Sequence, residues 1–490
     1  MSRPGGRKAL LAIASGVLTA LAMPGFGLSP LVFVALVPLF FALEGRGGFA
    51  RAVLFGGTFF ALDLRWILTV TRFSAWVIPG TILLVAYFGA FTALFSLALK
   101  RSRADGFDGW LLASAPAALA LVELARAQGP LGIGFSALYH ALYRTPALVQ
   151  AASVLGPWSI TAGIVFVNAA IYLALRRKQL RYAFAALGGI AALAAFALVP
   201  IAPDTGEAVH VAVIASSVPQ ETKLDGRNLE ALTERYTALG RRALAEDPDL
   251  VVFPESILPA YILSERDLLS RFQNLAADGQ TRVLFGTGVY ENREVYNTVA
   301  LISEEGDLIG TYAMVRPVPF GEYVPARPLW EAIGLGRFVD SFLPLDLTPG
   351  EGFDPIENIG TPICFESTFP DPSRRLTGAG AEILTIVTND AWFAGSSELI
   401  AHFSAAVFRA VETRRYVAQA ANGGVSGLIA PSGRILIEAK DEGPLGGEVY
   451  RRLDRSLYAR WGDLPLLALA GLACVISVGI RARDRKRSGG

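Results

Sequence analysis

Apolar residues in this chain are concentrated in its first two hundred residues and in a short stretch near its end, with an ordinary polar region between them. That segregation constrains the fold more than any other feature. A helix crosses the hydrocarbon layer with about 20 apolar residues. Candidate spans fall at 8–24, 29–44, 52–71, 76–99, 109–127, 147–175 and 182–201, with another at 463–480. The overall balance agrees, with 52% hydrophobic and only 18% charged residues. A net charge of +1 supplies no basic face for nucleic acid, so no such partner is expected.

The charges between spans give an expected orientation. Arg3, Arg7 and Lys8 precede the first span, and Arg46 and Arg51 separate the second from the third. Lys100, Arg101 and Arg103 follow the fourth. Arg176, Arg177, Lys178 and Arg181 follow the sixth, and Arg481, Arg483, Arg485, Lys486 and Arg487 follow the last. Every second connection is basic, and basic connections stay in the cytoplasm. Both termini are therefore expected there, with residues 205–460 on the opposite, periplasmic side of a bacterial inner membrane. The expected domains are 1–204 (seven membrane helices), 205–460, and 461–490 (a last helix and a basic tail). Ala-Leu-Ala in the first apolar stretch resembles a signal-peptide cleavage site, but the alternating charges favour an uncleaved helix. Asp63, Arg65 and Glu123 fall within spans, where charge is costly and marks a functional hypothesis. Asp63 and Arg65 also suit a helix end from which they reach outward. His140 is expected at the membrane interface.

From residue 205 the pattern becomes short apolar strands alternating with amphipathic helices. Strands are expected at 211–216, 250–253, 282–290, 295–303, 308–315, 360–366, 383–389 and 425–438, and helices at 228–245, 264–277 and 398–420. This is a layered α/β domain. It holds Cys364; the second of the two cysteines, Cys474, lies in the last apolar run. Cys364 thus has no disulfide partner and no second thiol for a metal site. It is either a buried structural thiol or a nucleophile. Glu255 follows a buried strand just as Cys364 does, and strand ends carry reactive groups in layered folds. A carboxylate in a dry site can act as the base for a thiol. His402, on a helix, reads as a packed polar residue. Three histidines make a multi-histidine metal centre improbable, and neither metal nor cofactor is expected.

Six motifs then occur in a fixed order: Phe-Pro-Glu-Ser around Glu255, Val-Pro-Phe-Gly-Glu-Tyr-Val-Pro at 318–325, Ile-Cys-Phe-Glu at 363–366, Thr-Asn-Asp-Ala-Trp-Phe at 388–393, Arg-Ala-Val-Glu at 409–412 and Ala-Asn-Gly-Gly-Val-Ser at 421–426. With the flanking spans, the set resembles the bacterial apolipoprotein N-acyltransferases, whose outer domain is a nitrilase-like αββα sandwich. The resemblance implies a ping-pong acyl transfer. A cysteine takes an acyl chain from a membrane phospholipid as a thioester and passes it to the N-terminal amine of a diacylglyceryl-cysteine lipoprotein. It implies Cys364 as nucleophile, Glu255 as base, Glu322 and Glu366 as supporting acids, and the backbone N–H after Cys364 as an oxyanion donor. Phe365, Trp392, Phe393 and Tyr323 are candidates for lining the substrate path. A monomer in the bilayer is expected.

The chain departs from the family at two places. The family's catalytic lysine position is occupied by Met314, in Tyr312-Ala-Met-Val-Arg316-Pro-Val-Pro-Phe-Gly-Glu322. A thioether has neither charge nor proton to offer. At the first strand of the outer domain, the family's Val-Gln-Gly-Asn reads Ile214-Ala-Ser-Ser, and a family tryptophan is Leu224. Two readings follow. Arg316, two residues on and therefore on the same face of an extended strand, substitutes for the lysine. Alternatively the chain is a weak or inactive relative that binds lipid or lipoprotein. A membrane-tethered amidase is a third reading, but a soluble substrate gives no reason for so many spans.

Overall fold

The computed structural model describes residues 4–103 and 110–473. Cys474, the basic tail and the side chains of Lys100, Arg101 and Arg103 lie outside that description. The chain forms two compact units. One comprises Met1–Gln128, Gly134–Pro200 and Trp461–Gly490; the other comprises Gly129–Ile133 and Ile201–Arg460.

The first unit is helical. Among the described residues, five helices are long and apolar enough to cross a membrane: Gly5–Ala22, Gly48–Arg72, Val77–Leu97, Trp158–Arg177 and Leu180–Leu198. Other expected spans are shorter or broken. Residues 29–44 form a 3-10 turn, Ser29–Phe33, and a short helix, Val37–Ala42, because Pro30 and Pro38 interrupt the ladder. Asn168 repairs the break: its Nδ2 donates to the Val32 carbonyl at 2.8 Å, and its Oδ1 accepts from Leu36 N–H at 2.9 Å. Such repair is obligatory where water is absent. Residues 147–175 break at Gly156-Pro157, and the helix proper is Trp158–Arg177. The fifth span is a sixteen-residue helix, Leu111–Arg126.

Small residues bring these helices together. A Cβ on Gly56 would collide with Thr92 Oγ1, and one on Gly16 would sit 2.8 Å from the Phe55 carbonyl oxygen. Glu123 is a buried clasp: Oε2 accepts from Thr161 at 2.6 Å and Oε1 from Leu138 N–H at 2.9 Å. The Arg65 guanidinium lies 4.1 Å from the centre of the Phe26 ring. His140 is buried, stacked on Tyr139 at 4.3 Å.

The second unit is built on two sheets. Strands β1 (Ala208–Ala215), β2 (Leu250–Val252), β3 (Arg282–Glu291), β4 (Glu294–Ile302), β5 (Leu308–Ala313) and β11 (Gly443–Tyr450) form one, in the order β11-β1-β2-β3-β4-β5. Strands β6 (Ile359–Gly360), β7 (Ile383–Asn389), β8 (Val417–Asn422), β9 (Ser426–Ile429) and β10 (Ile435–Ala439) form the other, in the order β10-β9-β8-β7-β6. Within these sheets β1, β2 and β3 are parallel, as are β6, β7 and β8. Parallel strands need both faces covered. Ala212, Ile214, Val251, Phe253, Val283 and Phe285 share a core with the helices Leu229–Ala243 and Arg266–Gly279. Their alternates Val211, Val213, Val252 and Leu284 are equally buried on the other face. The helix Glu398–Thr413, also almost wholly buried, packs on β8 and β9.

Four expectations change. The helix expected over 398–420 stops at Thr413, with Arg414 left-handed at φ 58°, and Val417–Asn422 is strand β8. The strand expected at 425–438 is two strands, β9 and β10. The strand expected at 360–366 is only Ile359–Gly360, after which Cys364–Thr368 coil into a 3-10 turn. Strand β11 and the helix Pro370–Gly378 have no counterpart among the expected elements.

Candidate active site

The carboxyl ends of the parallel strands converge, which is where open α/β sheets place ligands. Cys364 follows β6 at a sharp turn and holds φ 45°, a left-handed conformation rare for a residue with a side chain. Such strain persists when the surroundings over-determine it and concentrates at functional positions. Cys364 is half-buried and unbridged.

Glu366 fastens that turn. It is fully buried, and both of its oxygens are occupied. Oε2 accepts from Ile363 N–H at 3.1 Å and Tyr312 O–H at 2.9 Å. Oε1 accepts from the N–H groups of Val315 at 2.9 Å and Arg316 at 3.2 Å. Burial raises its pKa to about 7, against the pull of these donors. Glu366 thereby ties the Cys364 turn to the end of β5. It braces the site, with no oxygen left for the thiol.

Glu255 follows β2 and is buried. Its carboxyl group lies close enough to the Cys364 thiol for each to influence the charge of the other. Oε1 accepts from Asn297 Nδ2 at 2.6 Å and Oε2 from Asn389 N–H at 2.8 Å. Burial raises its pKa, while the Asn297 amide and the Lys223 charge resist that rise. Burial pushes the Cys364 thiol well above its ordinary range, and the negative charges of Glu255, Asp390 and Glu322 push it further. Burial and these charges thus favour the protonated thiol over the thiolate. The Thr388 hydroxyl donates to Asp390 Oδ1 at 2.6 Å.

Glu322 completes the set. Burial and the charge of Glu255 raise it to about 8, so it is largely a neutral acid at pH 7. Its Oε2 accepts from Val318 N–H at 2.7 Å, and Asn297 Nδ2 lies 3.4 Å from Oε1. One amide nitrogen of Asn297 thus faces both glutamates and lies 3.8 Å from Met314 Sδ. Met314 is buried beside it and donates its backbone N–H to the Asn297 carbonyl at 2.8 Å.

Arg316 turns elsewhere. Its guanidinium rests 4.8 Å from the centre of the Phe369 ring, and Phe365 meets Phe369 edge-on at 5.0 Å. Trp392 and Phe393 are half-buried in the turn after β7, and Tyr323 donates its hydroxyl to the Pro130 carbonyl at 2.8 Å.

Two site residues escape a reading of the sequence. Asn297 stands in an unremarkable strand, and only its register beside Met314 reveals it. Lys223 lies in the short helix Gln220–Leu224 after β1, buried, with Nζ donating to the Glu255 carbonyl at 3.1 Å. A side-chain network holds that segment in place. Gln220 Oε1 accepts from Asn389 Nδ2, and Asn389 Oδ1 from Asn422 Nδ2, both at 2.8 Å. Asn422 Oδ1 in turn accepts from Val218 N–H at 2.9 Å and Ser216 Oγ at 2.8 Å.

His402 is buried behind the Cys364 turn. Nε2 lies 3.0 Å from the Cys364 carbonyl oxygen and Nδ1 lies 2.9 Å from Asp390 Oδ1. Burial opposes a charge on the ring, but Asp390 and Glu398 outweigh it and raise the pKa to about 9. Asp390, Glu398 and His402 offer ligand atoms within 4.8 Å of one another. Both ring nitrogens are thus engaged, Nδ1 with Asp390 and Nε2 with the Cys364 carbonyl and Ser367 Oγ, while burial and Asp390 hold Glu398 well above the usual carboxylate range.

Residues 212–463 match the model of the carbon-nitrogen hydrolase family. Residues 15–170 match that of the apolipoprotein N-acyltransferase N-terminal domain. The apolipoprotein N-acyltransferase of Geobacter metallireducens is 33% identical, covering 98% of this chain and 96% of that one. That of Thermotoga maritima is 30% identical, covering 98% and 95%. An amidase structure from Nesterenkonia sp. is similar at 18% identity and a TM-score of 0.39, over 55% of this chain and 97% of that one.

Proposed function

The chain belongs to the apolipoprotein N-acyltransferase family, and from that membership we propose how its residues move the acyl chain. The protein is an acyltransferase that N-acylates lipoproteins, with a lipid as the other substrate. The observation carrying the residue-level reading is a strained, half-buried Cys364 at a strand end, with the buried carboxyl group of Glu255 near its thiol.

In the first half-reaction the thiol sulfur attacks the ester carbonyl carbon of a phospholipid, and its proton passes to Glu255. The tetrahedral oxyanion takes a donor from the Phe365 backbone N–H. It collapses by breaking the carbon–oxygen ester bond. Glu255 returns the proton to the departing oxygen, so a lysophospholipid leaves and acyl-Cys364 remains. In the second half the α-amine of a diacylglyceryl-cysteine attacks the thioester and gives its proton to Glu255. The carbon–sulfur bond breaks, and that proton regenerates the thiol beside a new amide.

Charge and shape support the lipid partners. The short helices Arg327–Ala332 and Gly336–Phe342 follow Glu322 and present Leu329, Ile333, Leu335 and Phe338 to the outside. Contiguous exposed apolar groups of this kind mark lipid or protein contact. The alternation of basic connections supports a multi-pass protein of the inner membrane with cytoplasmic termini, residues 205–460 forming a periplasmic catalytic domain and 461–490 a returning helix and tail.

The test is a thioester trap. Full-length protein in mixed micelles is given a phospholipid carrying a labelled acyl chain, and the Cys364 peptide is weighed by mass spectrometry. Label that appears on Cys364 and vanishes on adding a diacylglyceryl-cysteine peptide is the expected result. An unlabelled Cys364 under turnover conditions would refute the thioester.

A further inference from the structure

Glu255, Glu322 and Cys364 place three acidic groups in one buried pocket; Glu255 raises the cost of charge on Glu322, and both glutamates raise it on the Cys364 thiol. Such a pocket can form a thiolate only if a cation shares it. Position 314, where the resembling family carries its lysine, offers a thioether here. Arg316 is stacked on Phe369, and none of Glu255, Glu322 and Cys364 counts it among the main influences on its charge. The cation that Glu255 does respond to comes from the opposite side, off the end of β1.

We propose that Lys223 is the cation of this active site, supplying from the β1 side the positive charge that Met314 cannot. The geometry carries this. Lys223 is buried, its Nζ is 3.1 Å from the Glu255 carbonyl, and its segment is pinned to the site through Gln220 and Asn389. Asn389 is the same residue whose backbone N–H holds the Glu255 carboxylate, so base and cation share one anchor. A lysine buried for packing alone is a poor choice, because its ammonium is costly to desolvate without a negative partner.

The electrostatics agree. Burial lowers Lys223 to about 8, and the negative charges of Glu255 and Cys364 keep it from falling further. At pH 7 it is mostly protonated. When the thiol proton moves to Glu255, the negative charge moves from carboxylate to sulfur and then to the ester oxygen. Lys223 keeps its proton throughout and faces that migrating charge, while Asn297 supplies a neutral donor from the other side. The groups around Cys364 that set its titration are Glu255, Glu322 and Asp390, with Lys223 opposing them and the His402 charge held behind the turn on the Cys364 carbonyl.

This inference rests on the acyl-transfer reading, so its test has a readout independent of acyl transfer. Full-length protein in detergent is alkylated with iodoacetamide across pH 6 to 10, and modification of the Cys364 peptide is timed by mass spectrometry. Lys223→Gln keeps a donor for the Glu255 carbonyl but removes the charge. We expect its alkylation midpoint to rise by about one pH unit or more, making it about tenfold slower near neutrality. Adding Met314→Lys to Lys223→Gln should bring the midpoint back down by supplying a cation from the other side.

In the labelled-phospholipid assay, Lys223→Gln should form acyl-Cys364 roughly 10²-fold more slowly than the parent. A Lys223→Gln profile that overlays the parent sinks the proposal. So does equal slowing at every pH without a shifted midpoint, which marks a packing role. If the parent itself forms no thioester, acyl transfer through Cys364 fails, while the alkylation midpoints still decide whether Lys223 tunes the thiol.

Discussion

His402 Nε2 lies 3.0 Å from the carbonyl oxygen of Cys364, so this imidazole engages the backbone of the turn, while Glu255 lies near the thiol. Cysteine nucleophiles usually have a histidine as base. Here the ring is paired with Asp390 and acts on the turn that holds Cys364 at φ 45°.

Stability should therefore fall with rising pH. His402 has a folded-state pKa of about 9, above the ordinary value of 6.5. Its contribution is complete below about pH 6.5 and is lost as pH rises through about 9. Thermal unfolding of the full-length protein should show Tm declining across that window. In His402→Gln the same window should be flatter and Tm lower throughout, because Asp390 loses its buried partner. A parent Tm that is constant from pH 6.5 to 9 would contradict a charged ring.

The strain at Cys364 predicts an inverse relation between stability and activity. Glycine adopts φ 45° freely, whereas a residue with a Cβ there is penalised by about 1–2 kcal/mol. Cys364→Gly should be more stable than Cys364→Ala by about 1 kcal/mol, and neither should form the acyl-enzyme. Denaturant titration of the pair measures the difference; equal stability would mean the turn relaxes without its side chain.

Replacing Glu255 by Gln preserves shape but removes the proton acceptor. Acyl-Cys364 formation should slow by about 10²–10⁴-fold. Asn297→Ala removes one hydrogen bond to a charged group, worth about 1.5–3 kcal/mol, and should cost about 10- to 100-fold. Single-turnover labelling gives both numbers. The idea of Asn297 as a donor to the carboxylate is lost if its alanine variant labels at the parent rate.

Glu366 accepts four hydrogen bonds with no oxygen directed to the thiol, so its role is mechanical. Glu366→Gln points an amide N–H₂ at backbone donors, and leaving such buried groups unsatisfied costs about 1–3 kcal/mol each. The variant should unfold at lower temperature, and its surviving folded fraction should label slowly through a displaced turn. Normal Tm with abolished labelling would instead assign Glu366 to the chemistry.

Arg316→Ala removes a guanidinium that rests on Phe369. The expected loss in acyl-enzyme formation is less than about threefold, as for an exposed cation–π contact of about 0.5–1 kcal/mol. A loss near 10²-fold would return Arg316 to the role of oxyanion donor.

The membrane unit is partly legible in the sequence, because bilayer thickness imposes a length on apolar runs and leaves few alternatives. Its internal breaks are not. Whether Pro30 and Pro38 end a helix or merely kink it depends on a partner such as Asn168, which lies 132 residues from Leu36. In the second unit, helices with strong amphipathic periodicity, such as Leu229–Ala243, are readable, whereas Val-Ala-Gln-Ala-Ala-Asn in β8 looks like the continuation of a helix. Only its position between β7 and β9 makes it a strand, since β preference reflects burial and neighbours more than composition.

The same division holds in the site. Cys364, Glu255, Glu322 and Glu366 stand in local motifs, so the sequence by itself marks them as candidates and marks Met314 as a gap. What fills the pocket around that gap is decided by the tertiary structure. Lys223 is 141 residues from Cys364 in the chain (364 minus 223), and Asn297 carries no motif. Sheet register sets Asn297 beside Met314, and the convergence of strand ends brings Lys223 to Glu255. Charge acts through space, so the identity of a site's cation is a property of the fold and cannot be read from spacing along the chain.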